Sequence, residues 1–292
     1  MGKAALSWGS YIERIMFNFT DPNRETAGGE RSSTAFPHPF LTDIKVRRAL
    51  ALAIDREKIT ALYGRTGKVT SNILMAPSSY ISSNTSFEFD LKKAAALLDE
   101  AGWKDTNNDG IRDKNGVPLT LLYQTTVNSV RQQTQDIVSN ALESIGVHVV
   151  SKMIDSSIFL GSGADNTNTR RHFYADIEEY AYGNKSPDPG AYMRGWTCAE
   201  AAQQKNEWSG ANWSRYCNPA YDALYQQSTT EIDPEKRRHL FIQMNDMLIA
   251  DTAVVPMVYW ADVSGLNRGI QGYDSTPWDS ETWNIAGWQR SP

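Results

Sequence analysis

Apolar residues follow two rhythms along this chain. Over 90–103 they fall at Leu91, Ala94, Ala95 and Leu98, the i, i+3, i+4, i+7 spacing of one helix face. Asp90 is a good N-cap and Gly102 a left-handed stop, so both ends of this helix are marked. Aspartates also open predicted helices at about 43–54 and 55–62. The most strongly periodic run, Ser129 to Ile145, places Val130, Ile137, Val138, Ala141, Leu142 and Ile145 on one side, and Gly146 ends it. Two more helices are predicted at about 219–228 and 234–251. Strands are expected at Tyr11–Phe19, with Ile15, Phe17 and Phe19 on one face, and at about 119–124, 147–154, 172–182 and 254–259. The strand–helix–strand order from 119 to 154 predicts a right-handed crossover. The segment 21–39 reads as a loop and the Ser/Asn-rich segment 66–86 as an irregular connection. The pattern predicts an α/β fold with a mixed sheet and helices on both faces.

Composition narrows this only a little. A chain of 292 residues with 40% hydrophobic content buries a substantial core. A net charge of −5 gives no general electrostatic reason to approach nucleic acid or anionic lipid. No apolar run is long enough to span a bilayer, and the opening Met1 to Ser7 lacks the pattern of a secretory signal. Taken alone, that opening favours the cytoplasm. Cys198 and Cys217 bracket a Gly/Asn/Gln-rich stretch from Gln203 to Asn212. Two buried free thiols and a bridge clasping the loop are both compatible with that spacing.

Few segments suggest reaction chemistry. Asp105, Asn107, Asp109 and Asp113 occupy positions 1, 3, 5 and 9 of a calcium-loop pattern with Gly110 at 6. Position 12 is Gly116, where a complete loop has a bidentate glutamate, so an Asx/Gly turn competes with a structural calcium site. The four histidines show no zinc spacing, and no nucleophile elbow, P-loop or dinucleotide fingerprint is present. Glu178 and Glu179 are adjacent on a predicted strand and point to opposite faces, so they cannot share one substrate. A calcium-stabilised hydrolase domain is the alternative from the enzyme class. The tail after Asp262 carries Trp278, Trp283 and Trp288 without clear periodicity and raises a third option, a module that binds a partner protein. The pairs Arg47-Arg48 and Arg237-Arg238 read as solvated helix charges of little energetic weight.

Three segments in order carry a resemblance. They are Asp43-Ile-Lys-Val-Arg-Arg-Ala-Leu-Ala-Leu-Ala-Ile-Asp-Arg-Glu-Lys-Ile59, the Asp90–Trp103 helix, and Pro234-Glu-Lys-Arg-Arg-His-Leu-Phe-Ile-Gln-Met-Asn-Asp-Met-Leu248. Together they resemble the extracytoplasmic solute-binding proteins of peptide-type ABC importers, from about Ile12 to the C-terminus. The resemblance implies a lobe of the periplasmic-binding-protein-like type II fold and a chain that is the C-terminal portion of a longer protein. On that expectation, residues 1–19 are an inter-lobe strand, 20–262 the ligand-binding lobe, and 263–292 a tail that returns to the missing N-terminal lobe. A tail folded back on its own domain is the alternative. The resemblance further implies a periplasmic or extracytoplasmic location, compatible with a lipoprotein parent, and partners that are a small peptide or other solute and the ABC permease subunits. It implies no catalysis and no required cofactor. The family often staples the Cys198–Cys217 region, which favours the disulfide and its stabilisation of about 3 kcal/mol.

The candidate site is Tyr180-Ala-Tyr-Gly-Asn-Lys-Ser-Pro-Asp-Pro-Gly-Ala-Tyr-Met-Arg-Gly-Trp196, just past a predicted strand, where α/β clefts collect ligands. Tyr180, Tyr182 and Trp196 offer flat apolar faces with a polar edge, and Asn184 lies between them and Asp188. Tyr192 is expected to be structural. Trp213, with Trp208 and Tyr216, either caps a ligand or packs around the cysteines. In the resembling importers an aspartate holds the ligand ammonium group where this chain has Gly183, and an arginine holds the carboxylate where it has Thr125. Without those two anchors, a longer peptide held through its backbone or a neutral solute is expected, with Asp188 able to supply a charge from a shifted position.

Overall fold

Strand β1 (Gly2–Phe17) opens the chain in the computed structural model, which describes residues 2–290. Helices α1 (Ile44–Leu52) and α2 (Arg56–Ala61) follow, and the side chains of Asp43 and Asp55 accept from the amides of Lys45 and Lys58. After β2 (Gly67–Val69) comes α3 (Leu91–Glu100), where Asp90 accepts from the amides of Lys92 and Lys93. Gly102 takes φ +84°, the left-handed geometry that ends this helix without a side-chain clash. A short hairpin, β3 (Asp113–Lys114) and β4 (Val117–Pro118), leads into β5 (Thr120–Thr126), α4 (Ser129–Glu143) and β6 (His148–Ile154). The chain continues through α5 (Ser156–Phe159), β7 (Ile177–Tyr182), α6 (Gly190–Arg194), α7 (Pro219–Thr230) and α8 (Pro234–Ala250). It closes with β8 (Val254–Asn267), β9 (Ile270–Gln271) and β10 (Gln289–Arg290).

The main sheet has the order β2-β8-β1-β7-β5-β6. β5 runs parallel to β6 and β7, whereas β1 is antiparallel to β7 and β8, so the sheet is mixed as expected. One face carries a core of Ile15, Phe17, Tyr123, Val138, Leu142 and Ile177, joined by Val46 and Leu50 of α1 and Ala94 and Leu98 of α3. The other carries Met16, Tyr180, Phe159 and Phe173 under α6, α7 and α8, with Tyr192, Tyr221, Phe241 and Leu248 buried. Alternation along β1 divides its side chains between these layers.

Two strands are longer than their apolar alternation predicts. Gly2–Trp8 of β1 pairs with Ala261–Asn267 of β8 as a two-stranded ribbon, separated from the in-sheet pairing by a register shift between Trp8 and Ile12. Leu6 and Val263 are exposed there, and Leu266 is its one large buried apolar side chain, so the ribbon rests mainly on backbone pairing and shows little of the apolar stripe that marks a strand in sequence. The strand expected from His172 begins only at Ile177. Residues before it are drawn into a turn by Asn18, whose side-chain amide donates to Phe173 O (2.8 Å) and Ala175 O (3.0 Å).

Arg47 corrects its expectation as a solvated charge. It is 5% exposed, and its guanidinium donates to Leu41 O (2.7 Å), Asp251 O (2.7 Å) and Thr252 O (3.1 Å). These carbonyls include the open end of α8, which a planar cation satisfies at several points at once. Arg237 pairs with Asp188, and Arg238 pairs with Glu235 of its own helix.

Candidate functional site

In the antiparallel pair of β1 and β7, Arg14 lies opposite Tyr180 and Ile12 opposite Tyr182. Residues that face one another across such a pair share a face of the sheet. Arg14, Tyr180 and Tyr182 therefore converge at the end of the sheet where β5, β6 and β7 finish. The ribbon leaves the sheet at that same end. Tyr192 arrives from α6, Trp196 from just beyond it, and Trp213 from the loop between the cysteines. Together they line a recess of about 40 Å³.

Arg14 is the centre of this recess. It is only 2% exposed, with its guanidinium carbon 5.3 Å from the Trp196 ring centre, 5.5 Å from Tyr180 and Tyr182, and 5.7 Å from Tyr192. Aromatic faces attract a cation at this range. Arg14 donates from Nη1 to the Tyr192 hydroxyl, which gives Tyr192 a polar task beyond the packing expected of it. Burial opposes the charge, but the facing tyrosine oxygens outweigh it and hold the Arg14 pKa above its ordinary value. Arg170 stands beside it, 4.3 Å from the Trp213 ring centre and 5.4 Å from Tyr182. Its pKa is lowered, first by burial and further by the like charges of Arg14 and Arg171.

The loop that brings Trp213 is rigidly held. Cys198 and Cys217 form the disulfide, with Cα atoms 4.5 Å apart and a separation of 19 residues. Arg215, fully enclosed, donates to Ala202 O (3.0 Å), His172 O (2.8 Å) and Trp213 O (2.5 Å). Asn212 donates to Thr197 O and Tyr216 O. Tyr216 is buried against Phe19 and Tyr221, while Trp208 stacks on His172.

Of the residues expected at the site, Tyr180, Tyr182, Trp196 and Trp213 are brought together. Thr125 is buried on the opposite layer, donating to Glu179 O (2.9 Å). Asn184 is a pin: its side-chain amide donates to Ala76 O (2.7 Å) and Ser186 O (3.0 Å), and its backbone carbonyl accepts from the Ser10 hydroxyl. Gly183 fits tightly, since a Cβ there would meet Ser10 O at 2.0 Å. Asp188 is engaged by Arg237 and by the Gly190 amide (2.7 Å), and these bonds hold its pKa below the usual carboxylate range. Gly183 and Asp188 flank a neighbouring recess with Tyr182 and Lys185.

Asp105, Asn107 and Asp109 share one turn, where Asp105 accepts from the amides of Asp109 and Gly110, and Asp109 from that of Ile111. Asp113 instead accepts from Thr106. Among the described residues, no group of three or more His, Cys, Asp or Glu is placed to hold a metal ion.

Arg14, Arg170 and Tyr192 were missed as site residues. A signal for the first was present: with Ile15 and Phe17 facing one core, alternation puts Arg14 and Met16 on the other buried face of a central strand.

Residues 3–204 match the family described as bacterial extracellular solute-binding proteins, family 5 (middle). The chain belongs to this family. Within family 5, it is 27% identical over 261 residues to the oligopeptide-binding protein AppA of Bacillus subtilis, covering 84% of this chain and 44% of that one. It is 24% identical over 244 residues to the dipeptide-binding protein DppE of the same species, covering 80% and 40%. Among solved folds, AppA of Bacillus subtilis in complex with a nonapeptide superposes with a TM-score of 0.77 at 22% identity, covering all of this chain and 53% of that one. NikZ of Campylobacter jejuni in complex with Ni(L-His) also gives 0.77, at 20% identity and covering 99% and 54%. This family 5 chain thus spans about half the length of the relatives it matches and has the type II periplasmic-binding-protein fold.

Proposed function

We propose that this chain is the C-terminal ligand-binding lobe of an extracytoplasmic solute-binding protein that delivers a peptide or related solute to an ABC importer. Residues 20–262 form the lobe, 1–19 a strand crossing to an N-terminal lobe, and 263–292 a tail that returns toward that lobe. The observation that carries this is the placement of Arg14 and the rings of Tyr180, Tyr182, Tyr192, Trp196 and Trp213 at the sheet end from which the ribbon departs. Family membership and relatives named for peptide binding support it. Rings and guanidinium groups grip a solute and leave its bonds intact, so no catalysis is assigned. Uptake follows from closure of two lobes around the solute, driven by its higher affinity for the closed state, and presentation to permease subunits.

Tryptophan fluorescence titrations with tripeptides, run on this chain and on a full-length parent, test the proposal. The parent should bind saturably, this chain about tenfold or more weakly because half the contacts are missing, and mass spectrometry should find the peptides uncleaved. Cleavage, or equally tight binding by this chain alone, overturns the division of labour.

A further inference from the structure

Several donors at the Arg14 recess have no acceptor. Arg14 Nε, Arg170 Nε, the Tyr180 hydroxyl and Trp213 Nε1 are all buried without a hydrogen-bond partner. Tyr180 faces Arg14, and its oxygen supports the guanidinium charge. Buried polar atoms in native proteins are nearly always paired, so these orphans, three lining the recess and that of Arg170 beside it, mark a place where something else supplies the acceptors. Neither Arg14 nor Arg170 has an ion-pair partner among the described residues, and Asp188, an acid of the neighbouring recess, is held by Arg237. Glu178, on the same face, is sealed at 0% exposure and hydrogen-bonded to Gln124, and burial drives its pKa well above the carboxylate range. Lys185 adds a third positive group at the rim, 5.7 Å from the Tyr182 ring centre.

Resting on the solute-binding function proposed above, we infer that the Arg14 recess is a subsite for a carboxylate group of the solute. A carboxylate brings two oxygens with several acceptor positions and a full negative charge, and a guanidinium is the donor set that matches its plane. The volume of about 40 Å³ is about three times the ~10–15 Å³ that one water requires, so it admits such a headgroup and leaves the rest of the solute outside. The aromatic walls then contact the apolar carbons behind the headgroup. A solute held only by neutral backbone contacts leaves these donors and charges unanswered.

Two sources of carboxylate are available in a peptide, its C-terminus and an acidic side chain. The test uses this chain, isotope-labelled, with three probes at millimolar concentration: Ala-Ala-Ala, Ala-Ala-Ala-amide and Ala-Asp-Ala-amide. Binding is read from the indole N–H signals of Trp196 and Trp213. At least one carboxylate probe should bind about ten- to a hundredfold more tightly than Ala-Ala-Ala-amide, the range for a hydrogen bond to a charged group. Preference for Ala-Ala-Ala identifies the chain terminus as the source, and preference for Ala-Asp-Ala-amide identifies the side chain. Arg14→Gln should abolish the preference for a carboxylate over the amide, and Arg14→Lys should restore part of it. If Arg14→Gln fails to fold, Arg170→Gln, nearer the surface, should reduce the preference. Equal binding of all three probes overturns the carboxylate subsite and leaves the solute-binding function standing. No response to any probe also overturns the carboxylate subsite, while the solute-binding function is decided by the titration of the full-length parent.

Discussion

Glu178 and Arg14 occupy the same face of the sheet, yet burial acts on them in opposite ways. The tyrosine oxygens around Arg14 raise its pKa against burial, whereas at Glu178 burial raises the pKa and outweighs the Gln124 hydrogen bond and the charges of Arg215, Arg170 and Lys152. In the unfolded chain a glutamate ionises near about 4.3. A folded pKa raised above that value gives stability that is complete in acid and lost as pH rises toward the folded pKa. His172 works in the other sense, since burial lowers its pKa to about 4 and stability falls as acid charges it below its ordinary range. The wild-type pH profile mixes both trends, so the difference between proteins is the clean measure. Urea midpoints for Glu178→Gln and wild type should coincide near pH 4–5 and separate as pH rises to 8, with the variant increasingly more stable. A constant difference across that range would mean Glu178 is ionised in the folded protein. Glu179, pushed up by burial and then by the Glu13 charge, lies on the opposite layer and should respond in the same direction.

Elements whose signals are local were readable from sequence. Asp43, Asp55 and Asp90 cap the helices that they were expected to open, and Gly102 takes the left-handed turn, because a cap needs only its own neighbours. The α4 face was legible in the buried Val138 and Leu142, though Thr134 and Gln135 are buried there too, with Gln135 donating to Tyr123 O. Pairing at a distance was less legible. The ribbon halves of β1 and β8 have no core stripe, and α6 is too short for a periodic pattern, so Tyr192 could not be placed against Arg14. Half of the expected site residues reached the recess because a strand end is easy to locate. Its charged centre came from a strand more than 160 positions earlier, which only sheet order could supply. The clasped loop invites a test at this scale. Replacing Cys198 and Cys217 together by Ser should cost about 3 kcal/mol in urea unfolding, the loop-closure entropy of a segment of this length. It should also mobilise Trp213, visible as a broadened indole N–H signal.

At the scale of the molecule, two helical layers enclose a mixed sheet, and the parts outside them bear little load. The tail over 268–290 is largely exposed, including Trp283 and Ile285. Its contacts run to the ribbon, through Lys3 Nζ to Ile270 O (3.4 Å), Glu281 to Ser264 (3.1 Å) and Tyr273 to Ser264 (3.0 Å), and within itself, as where Tyr273 meets Trp288 edge-on. Truncation after Asn267 should therefore change the unfolding free energy by no more than about 1 kcal/mol, as surface changes do, and leave the lobe folded. A large drop would show the tail to be part of the core. The ribbon imposes a mechanical consequence of its own. A pair of strands is thin across its faces and broad along its ladder, so it flexes across the thin direction, while the rungs between Gly2–Trp8 and Ala261–Asn267 resist slippage of one strand along the other. A body joined at the far end can thus tilt over the mouth at Arg14 but cannot glide past it, and it meets the same rings on every approach.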